Sequence, residues 1–164
     1  MNHCLQTLSR LGVATLFVFA SVNVMAKDQH TPAEREVLGA VDALFDAMAK
    51  HDVDASRKLI LPGAGFMAVS PEGTAQMKHD TDYLDSLAKH KEAFRERIWN
   101  PKVLVQGGIA QVWAPYDFHL DGKFSHCGID SFSLVRSGKD WQVASVSYTV
   151  QKQGCPPSPL GELK

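Results

Sequence analysis

A basic excess is missing from this chain, which has 17 Lys and Arg residues against 18 Asp and Glu residues. Lys and Arg do not alternate with aromatic residues or form a basic amphipathic helix, so binding to nucleic acid or an anionic membrane lacks support. A glycine-rich phosphate loop, a Gly-x-Ser-x-Gly turn and a His-Glu-x-x-His motif are missing too. Nucleotide binding and serine-hydrolase chemistry are therefore unsupported, and we predict no cofactor and no metal ion.

Long hydrophobic runs are scarce, and the only extended one is near the start of the chain. Residues 11–24 are apolar or weakly polar and follow Arg10. This pattern resembles a secretory signal peptide, with small side chains at Val24 and Ala26 before a cleavage site. An uncleaved amino-terminal anchor is the alternative. We predict a signal peptide over residues 1–26 and a single domain over 27–164, periplasmic or secreted, with no membrane attachment after cleavage.

Cysteine is also rare, with three residues in the whole chain. Cys4 belongs to the predicted signal peptide, which leaves Cys127 and Cys155 in the exported part. An even number of thiols in an oxidising compartment favours a disulfide between them. The alternative is one buried and one exposed free thiol.

The first half of the exported part shows helical patterns. Residues 31–34, Thr-Pro-Ala-Glu, form a capping box with proline at the first helical position. Apolar residues then recur at helical spacing: Val37, Leu38, Val41, Leu44, Phe45 and Met48. A short second helix is expected over residues 53–60, a short strand over 66–69, and a third helix around 81–90.

From residue 94 onward the pattern changes to extended chain. Residues 94–105 predict one long strand with a bend or bulge at Asn100-Pro101. Turns at residues 107–108, 121–122 and 137–140 then separate three further strands. Helices followed by an antiparallel meander indicate an α+β domain whose helices cover one face of a curved sheet.

The turn at Asp121-Gly122 predicts how two of these strands pair. It is typical of a type I′ turn, and the resulting register places Asp117 opposite His126 and Trp113 opposite Asp130. Side chains alternate along a strand, so five residues share one face: Trp113, Asp117, His119, His126 and Asp130.

The last hairpin extends this polar face. If Arg136 pairs with Trp141, Asp130 lies opposite Ser147 and Phe132 opposite Ser145. The other face is more apolar and comprises Val112, Ala114, Tyr116, Phe118, Ile129, Val146 and Val150. Either face can be the interior one, and we predict that the polar face lines a pocket. A single β-bulge would invert this outcome.

Four segments carry a resemblance to a known superfamily. They are Val112–Phe118, Asp121–Lys123, His126–Phe132 and Trp141–Ala144. They resemble the nuclear transport factor 2-like (NTF2-like, SnoaL-like, cystatin-like) superfamily, and more narrowly its exported bacterial members of unsettled activity. The resemblance implies three amino-terminal helices packed on a strongly curved, mainly antiparallel sheet. It also implies a cone-shaped domain with an interior pocket, often dimeric through its outer sheet surface.

The superfamily contains enzymes such as ketosteroid isomerase and scytalone dehydratase as well as many binding modules, so the fold alone does not identify the activity. The first helix has Phe45 as its only aromatic residue. It therefore lacks the tyrosine that isomerase chemistry would use.

Two functions remain, besides a purely structural dimerisation module. We favour binding of a small, partly apolar molecule, and the predicted ligand-binding residues are Trp113, Tyr116, His119, Phe132, Ser145 and Ser147. The alternative is a cofactor-independent lyase, isomerase or hydrolase. In that case Asp117 would orient His126 as a general base, with Asp130 as a second acid.

Overall fold

The computed structural model describes residues 30–163, so the predicted signal peptide lies outside the described residues. Three helices and seven strands follow one another along the chain. The helices are α1 (Pro32–Ala49), α2 (Val53–Leu59) and α3 (Asp80–Lys89). The strands are β1 (Ile60–Val69), β2 (Ala75–His79), β3 (Phe94–Ile98), β4 (Lys102–Gln106), β5 (Ile109–Leu120), β6 (Lys123–Ser137) and β7 (Asp140–Thr149).

Helix α1 begins where the capping box predicts. The Thr31 hydroxyl accepts a hydrogen bond from the Glu34 backbone N–H at 3.3 Å, and the Glu34 carboxylate accepts one from the Thr31 N–H at 2.8 Å. Both bonds satisfy amide groups that the first helical turn leaves free. The apolar stripe faces the sheet, and Val37 and Val41 are fully buried.

The sheet has the order β2-β1-β7-β6-β5-β3, and β4 also pairs with β5. All pairs are antiparallel except β1 with β7, which is parallel. Strand β2 and the parallel pair were not predicted. The three helices and the mainly antiparallel, curled sheet confirm the predicted α+β class.

The prediction of one long strand over residues 94–105 is wrong, because two separate strands occupy this segment. The chain breaks at Asn100, whose φ of 46° lies in the left-handed region. The two resulting strands, β3 and β4, both lie along β5, β3 against residues 116–120 and β4 against residues 109–113. β3 and β4 are therefore two separate strands that lie one after the other along β5.

The hydrophobic core lies between the helices and the concave face of the sheet. Helix α1 contributes Val37, Val41 and Leu44, which pack with residues of α3, β1 and β4 to β7: Ile60, Ala64, Phe66, Leu84, Val103, Ala110, Val112, Phe132, Leu134, Trp141, Val143 and Val146. Within residues 30–163, no helix combines the length and apolar character needed to span a membrane.

Candidate functional site

The β5–β6 hairpin starts in the predicted register but does not keep it. Asp121 and Gly122 both have positive φ, 50° and 74°, as a type I′ turn requires, and Leu120 pairs with Lys123. Ser125 is then an extra residue on β6. Because of this bulge, every pairing farther from the turn is shifted by one residue.

The predicted Asp117–His126 and Trp113–Asp130 pairings are therefore wrong. Asp117 lies opposite Cys127, and His126 lies opposite Phe118. Since the side-chain period of a strand is two, a one-residue slip moves side chains to the other face. Asp117 and His126 point to opposite sides of the sheet and do not form a catalytic pair.

A second bulge interrupts the β6–β7 hairpin. Arg136 pairs with Trp141 as predicted, but Ala144 is an extra residue on β7. The predicted pairings of Asp130 with Ser147 and of Phe132 with Ser145 are wrong as a result. Asp130 lies opposite Tyr148, and Phe132 lies opposite Val146.

The two bulges mix the two faces that the sequence suggested. The interior face combines Tyr116 and Phe118, predicted for the apolar face, with His126, Asp130 and Phe132, predicted for the polar face. The outer face keeps Asp117 and His119 under the carboxyl-terminal tail. Three other predicted ligand-binding residues do not line the interior cavity: Trp113, which is 53% exposed, Ser145 and Ser147.

The interior face encloses a cavity of about 310 Å³ between helices α1 and α3 and the sheet. We call it the inner cavity. Half of its lining residues are aromatic: Phe45, Phe66, Tyr83, Phe94, Tyr116, Phe118, His126, Phe132 and Tyr148. Phe45 meets Phe132 edge to face at 5.8 Å, and Phe66 stacks on Tyr83 at 4.7 Å between ring centroids. These contacts pack aromatic rings against one another in the cavity wall.

Two carboxyl groups lie together in the inner cavity. Glu96 extends from β3 opposite Phe118, and Asp130 extends from β6 opposite Ala114. Their carboxyl groups are close enough to influence each other's pKa and to share a proton. Asp130 is 1% exposed, and its Oδ2 accepts no hydrogen bond from any N–H or hydroxyl group of the described residues.

Burial dominates the electrostatics of this carboxyl pair. Desolvation raises the pKa of Glu96 to about 7, against a smaller lowering by its hydrogen bond with Asp130. Burial and the nearby Glu96 raise the pKa of Asp130 well above its usual value. Two neighbouring carboxyl groups in an apolar site hold a proton because a second negative charge is costly. Both raised pKa values therefore favour a pair that keeps at least one proton at neutral pH.

Tyrosines surround the carboxyl pair but are not equally available. The Tyr116 hydroxyl donates to the Thr149 carbonyl at 2.8 Å. Gly128 makes this contact possible, since a Cβ there would collide with Thr149 and approach the Tyr116 ring. Burial, together with Glu96 and Asp130, raises the pKa of Tyr148. Tyr148 therefore remains a neutral hydroxyl beside the acids.

His126 lies at the same cavity with a different partner from the one predicted. Its Nδ1 lies 3.0 Å from the Ser125 hydroxyl, and its ring packs against Tyr116 and Phe118. Burial, with a smaller effect of Lys152, lowers the pKa of His126. The imidazole is therefore neutral at neutral pH.

Asp117 and His119 belong to a separate cluster on the outer face. The Arg97 guanidinium donates to both carboxylate oxygens of Asp117, at 2.8 and 2.6 Å, and also to the Gly161 carbonyl at 3.0 Å. His119 Nδ1 lies 3.5 Å from Asp117. This cluster fastens the carboxyl-terminal tail to the sheet.

The predicted disulfide is present and holds the same tail. Cys127 on β6 is bonded to Cys155, with their Cα atoms 6.1 Å apart. Two backbone hydrogen bonds of 2.9 Å between Cys127 and Gln151 continue the sheet into the tail.

No three His, Cys, Asp or Glu side chains within residues 30–163 come together as metal ligands.

Sequence reasoning missed Glu96 as a site residue, along with Tyr83 and Tyr148. One local signal was available. Phe94, Glu96 and Ile98 are every second residue of an extended segment, so their side chains share one face of the strand. An acid among apolar residues on the buried side of a strand is unusual. Its partner Asp130 is distant in sequence, so the pair is visible only in three dimensions.

The fold is that of NTF2-like proteins, which confirms the predicted resemblance at the level of fold. An NTF2-like protein of unknown function from Shewanella baltica is 16% identical, with a TM-score of 0.56 over 74% of this chain and 98% of its own. A protein with a cystatin-like fold from Nostoc punctiforme is 12% identical, with a TM-score of 0.59 over 79% and 97%. An NTF2-like protein from Cytophaga hutchinsonii is 14% identical, with a TM-score of 0.60 over 70% and 94%. Neither a family model nor a curated protein matches the sequence.

Proposed function

We propose that this NTF2-like fold belongs to an exported protein that binds a small, partly apolar molecule in the inner cavity. The observation that carries the proposal is a cavity of about 310 Å³ whose lining combines many aromatic rings with the two carboxyl residues Glu96 and Asp130. Protein interiors are normally close-packed, with few voids larger than a water molecule. A mostly apolar cavity with a few convergent polar groups is typical of a ligand site.

The size and lining of the cavity restrict the ligand. A volume of about 310 Å³ is near the lower end of the range of ligand pockets, about 300–1,000 Å³. The rings favour an apolar body, and Glu96 and Asp130 favour one polar group at its end. Such a ligand would leave fewer unpaired polar atoms in the apolar interior.

The export part of the proposal depends on residues 1–26. The Cys127–Cys155 disulfide supports it, because disulfides persist in oxidising compartments. Mass spectrometry of the exported protein should show a chain beginning at Lys27. Recovery of a chain that keeps Met1 would contradict the cleavage.

Binding can be tested with neutral probes of suitable size, namely 2-phenylethanol, cyclohexanol and indole. Ligand-observed NMR should show saturable binding of at least one probe to the wild-type protein. Ala68 lines the cavity, so Ala68→Trp should fill it and abolish binding. Trp113→Ala alters the outer face and should leave binding unchanged. Absence of binding by all three probes, or equal binding to Ala68→Trp, would refute the proposal.

The carboxyl pair also favours a second candidate, acid–base conversion of the bound molecule without a cofactor. A general acid or base works best with a pKa near the operating pH, and the pKa of Glu96 is raised to about 7. Glu96 and Asp130 would replace the predicted His126 and Asp117 in this role. If the wild-type protein converts a ligand, the Glu96→Gln variant should still bind that ligand but should no longer convert it.

A further inference from the structure

We propose that the inner cavity selects organic cations, with an ammonium group against Glu96 and Asp130 and an apolar body among the aromatic rings. This inference rests on the proposed binding function and names the class of ligand. It follows from three features of the cavity: two neighbouring acids without a cationic partner, the shortage of hydrogen-bond donors to Asp130, and the ring-lined walls.

The carboxyl pair has no cationic partner in the described part of the chain. No ion pair or hydrogen bond among residues 30–163 joins a Lys or Arg side chain to Glu96 or Asp130. Arg97, which neighbours Glu96 in sequence, is engaged by Asp117 on the outer face. Lys78 is the one Lys or Arg residue that lines the cavity in this part of the chain, and it is exposed on β2.

Apart from the proton that Asp130 can share with Glu96, its buried Oδ2 has no donor partner in the described part of the chain. Buried carboxylates in proteins are normally paired with a cation or a hydrogen-bond donor. The Tyr116 hydroxyl donates elsewhere, to the Thr149 carbonyl. An ammonium group offers several N–H donors and a positive charge, so it satisfies both carboxyl groups at once.

The aromatic walls suit a cation as well as an apolar body. Ring faces attract cations, and the attraction is strongest where water is excluded. Phe118 and Tyr148 are strand neighbours of Glu96 and Asp130, respectively. A cation placed at the acids is therefore also beside aromatic rings.

Binding of a cation should release a proton to the buffer. Glu96 and Asp130 hold a proton because both pKa values are raised, and a neighbouring positive charge favours their ionised forms. The other titratable groups that line the cavity or interact with the pair are Lys78, Tyr83, Tyr116, Asp117, His126 and Tyr148. His126 and the tyrosines are neutral at neutral pH, so the released proton comes from the carboxyl pair.

A matched pair of probes separates charge from shape. 2-Phenylethylamine, an ammonium ion at neutral pH, and 2-phenylethanol have nearly the same shape. Calorimetry at pH 7 in buffers of different ionisation enthalpy should show that the amine binds at least about tenfold more tightly and releases protons. Its affinity should rise between about pH 5.5 and pH 7.5, whereas that of the alcohol should not.

Two isosteric variants test the role of the acids. Glu96→Gln and Asp130→Asn should bring the amine and the alcohol to within about twofold of each other while the alcohol still binds. Asp85→Asn changes an exposed acid of α3 and should keep the wild-type preference. If Asp130→Asn does not fold, the preference for the amine is tested by Glu96→Gln and by the proton release that the wild-type protein shows on binding the amine.

The failures of the two proposals are distinguishable. If the alcohol binds to the wild-type protein as tightly as the amine, with no proton release, cation selectivity is refuted and the binding function stands. If neither compound binds, and cyclohexanol and indole also fail, both proposals are refuted.

Discussion

Replacing Glu96 by Gln should change how the stability of the protein depends on pH. The folded state raises the pKa of this acid from 4.5 to about 7. Between these values the folded chain binds more protons than the unfolded chain, so the free energy of unfolding falls as pH rises. One pKa unit corresponds to about 1.4 kcal/mol, which makes the loss about 3 kcal/mol across this window.

Gln carries no titrating proton, so Glu96→Gln should not show this loss. Asp130 retains a raised pKa for its own reason, burial, and some decline therefore remains in the variant. From about pH 5 to pH 8, the wild-type protein should lose about 3 kcal/mol more than Glu96→Gln. The free energy of unfolding at about pH 8, compared with that of the same protein at about pH 5, should therefore have fallen less in Glu96→Gln than in the wild type.

Urea unfolding at several pH values, with the disulfide intact, measures the free energy of unfolding by linear extrapolation. Asp85→Asn serves as the control because this acid is exposed on α3, and its curve should run parallel to that of the wild type. Parallel curves for the wild type and Glu96→Gln would refute the reasoning, because they would show that folding does not raise the pKa of Glu96.

Three further changes test the packing around the two sites, each by urea unfolding. Gly128→Ala should destabilise the protein by about 2 kcal/mol or more, because the new Cβ collides with the Thr149 carbonyl. The control Gly39→Ala, with open space around it, should be neutral or stabilising. Equal effects of the two substitutions would contradict the close approach of Gly128 to Thr149. The double variant Cys127→Ser/Cys155→Ser opens a loop of sequence separation 28 and should cost about 3.5 kcal/mol in the chain-entropy model; a loss under about 1 kcal/mol would mean that the other tail contacts dominate. Arg97→Leu leaves a buried carboxylate without its bidentate partner and should cost about 3 kcal/mol, whereas Arg97→Lys, which keeps the charge, should cost less.

Local features of the chain were predictable because their causes are local. The helix start at Thr31 and the type I′ turn at residues 121–122 depend on residues within a few positions of one another. The order of helices and strands follows from the change in hydrophobic period along the chain. The cysteine pair was predictable because only two thiols lie outside the predicted signal peptide.

The two bulges were not predictable in the same way. Ser125 and Ala144 are ordinary strand residues, and neither carries the glycine that marks some bulges. Each adds one residue to its strand and moves the following side chains to the other face. The predicted Asp117–His126 pair was lost for this reason, although the turn that implied it was correct.

The composition of the candidate site depended on the pairing of strands that are distant in sequence. Asp130 was identified from the sequence, whereas Glu96 reaches it only because β3 pairs with β5 and β5 with β6. That chain of pairings joins segments far apart in sequence, and no local pattern specifies it.

Capping, turn geometry and hydrophobic period acted over short stretches of sequence and determined the three helices, the two later hairpins and their order, but not β2 or the division between β3 and β4. The bulges of the assembled sheet settled which side chains face inward, since each bulge reverses the face and the helices cover only one side of the sheet. The pairing of Glu96 with Asp130 in an aromatic cavity, and of Arg97 with Asp117 under the tail, is therefore a property of the assembled sheet rather than of any one segment.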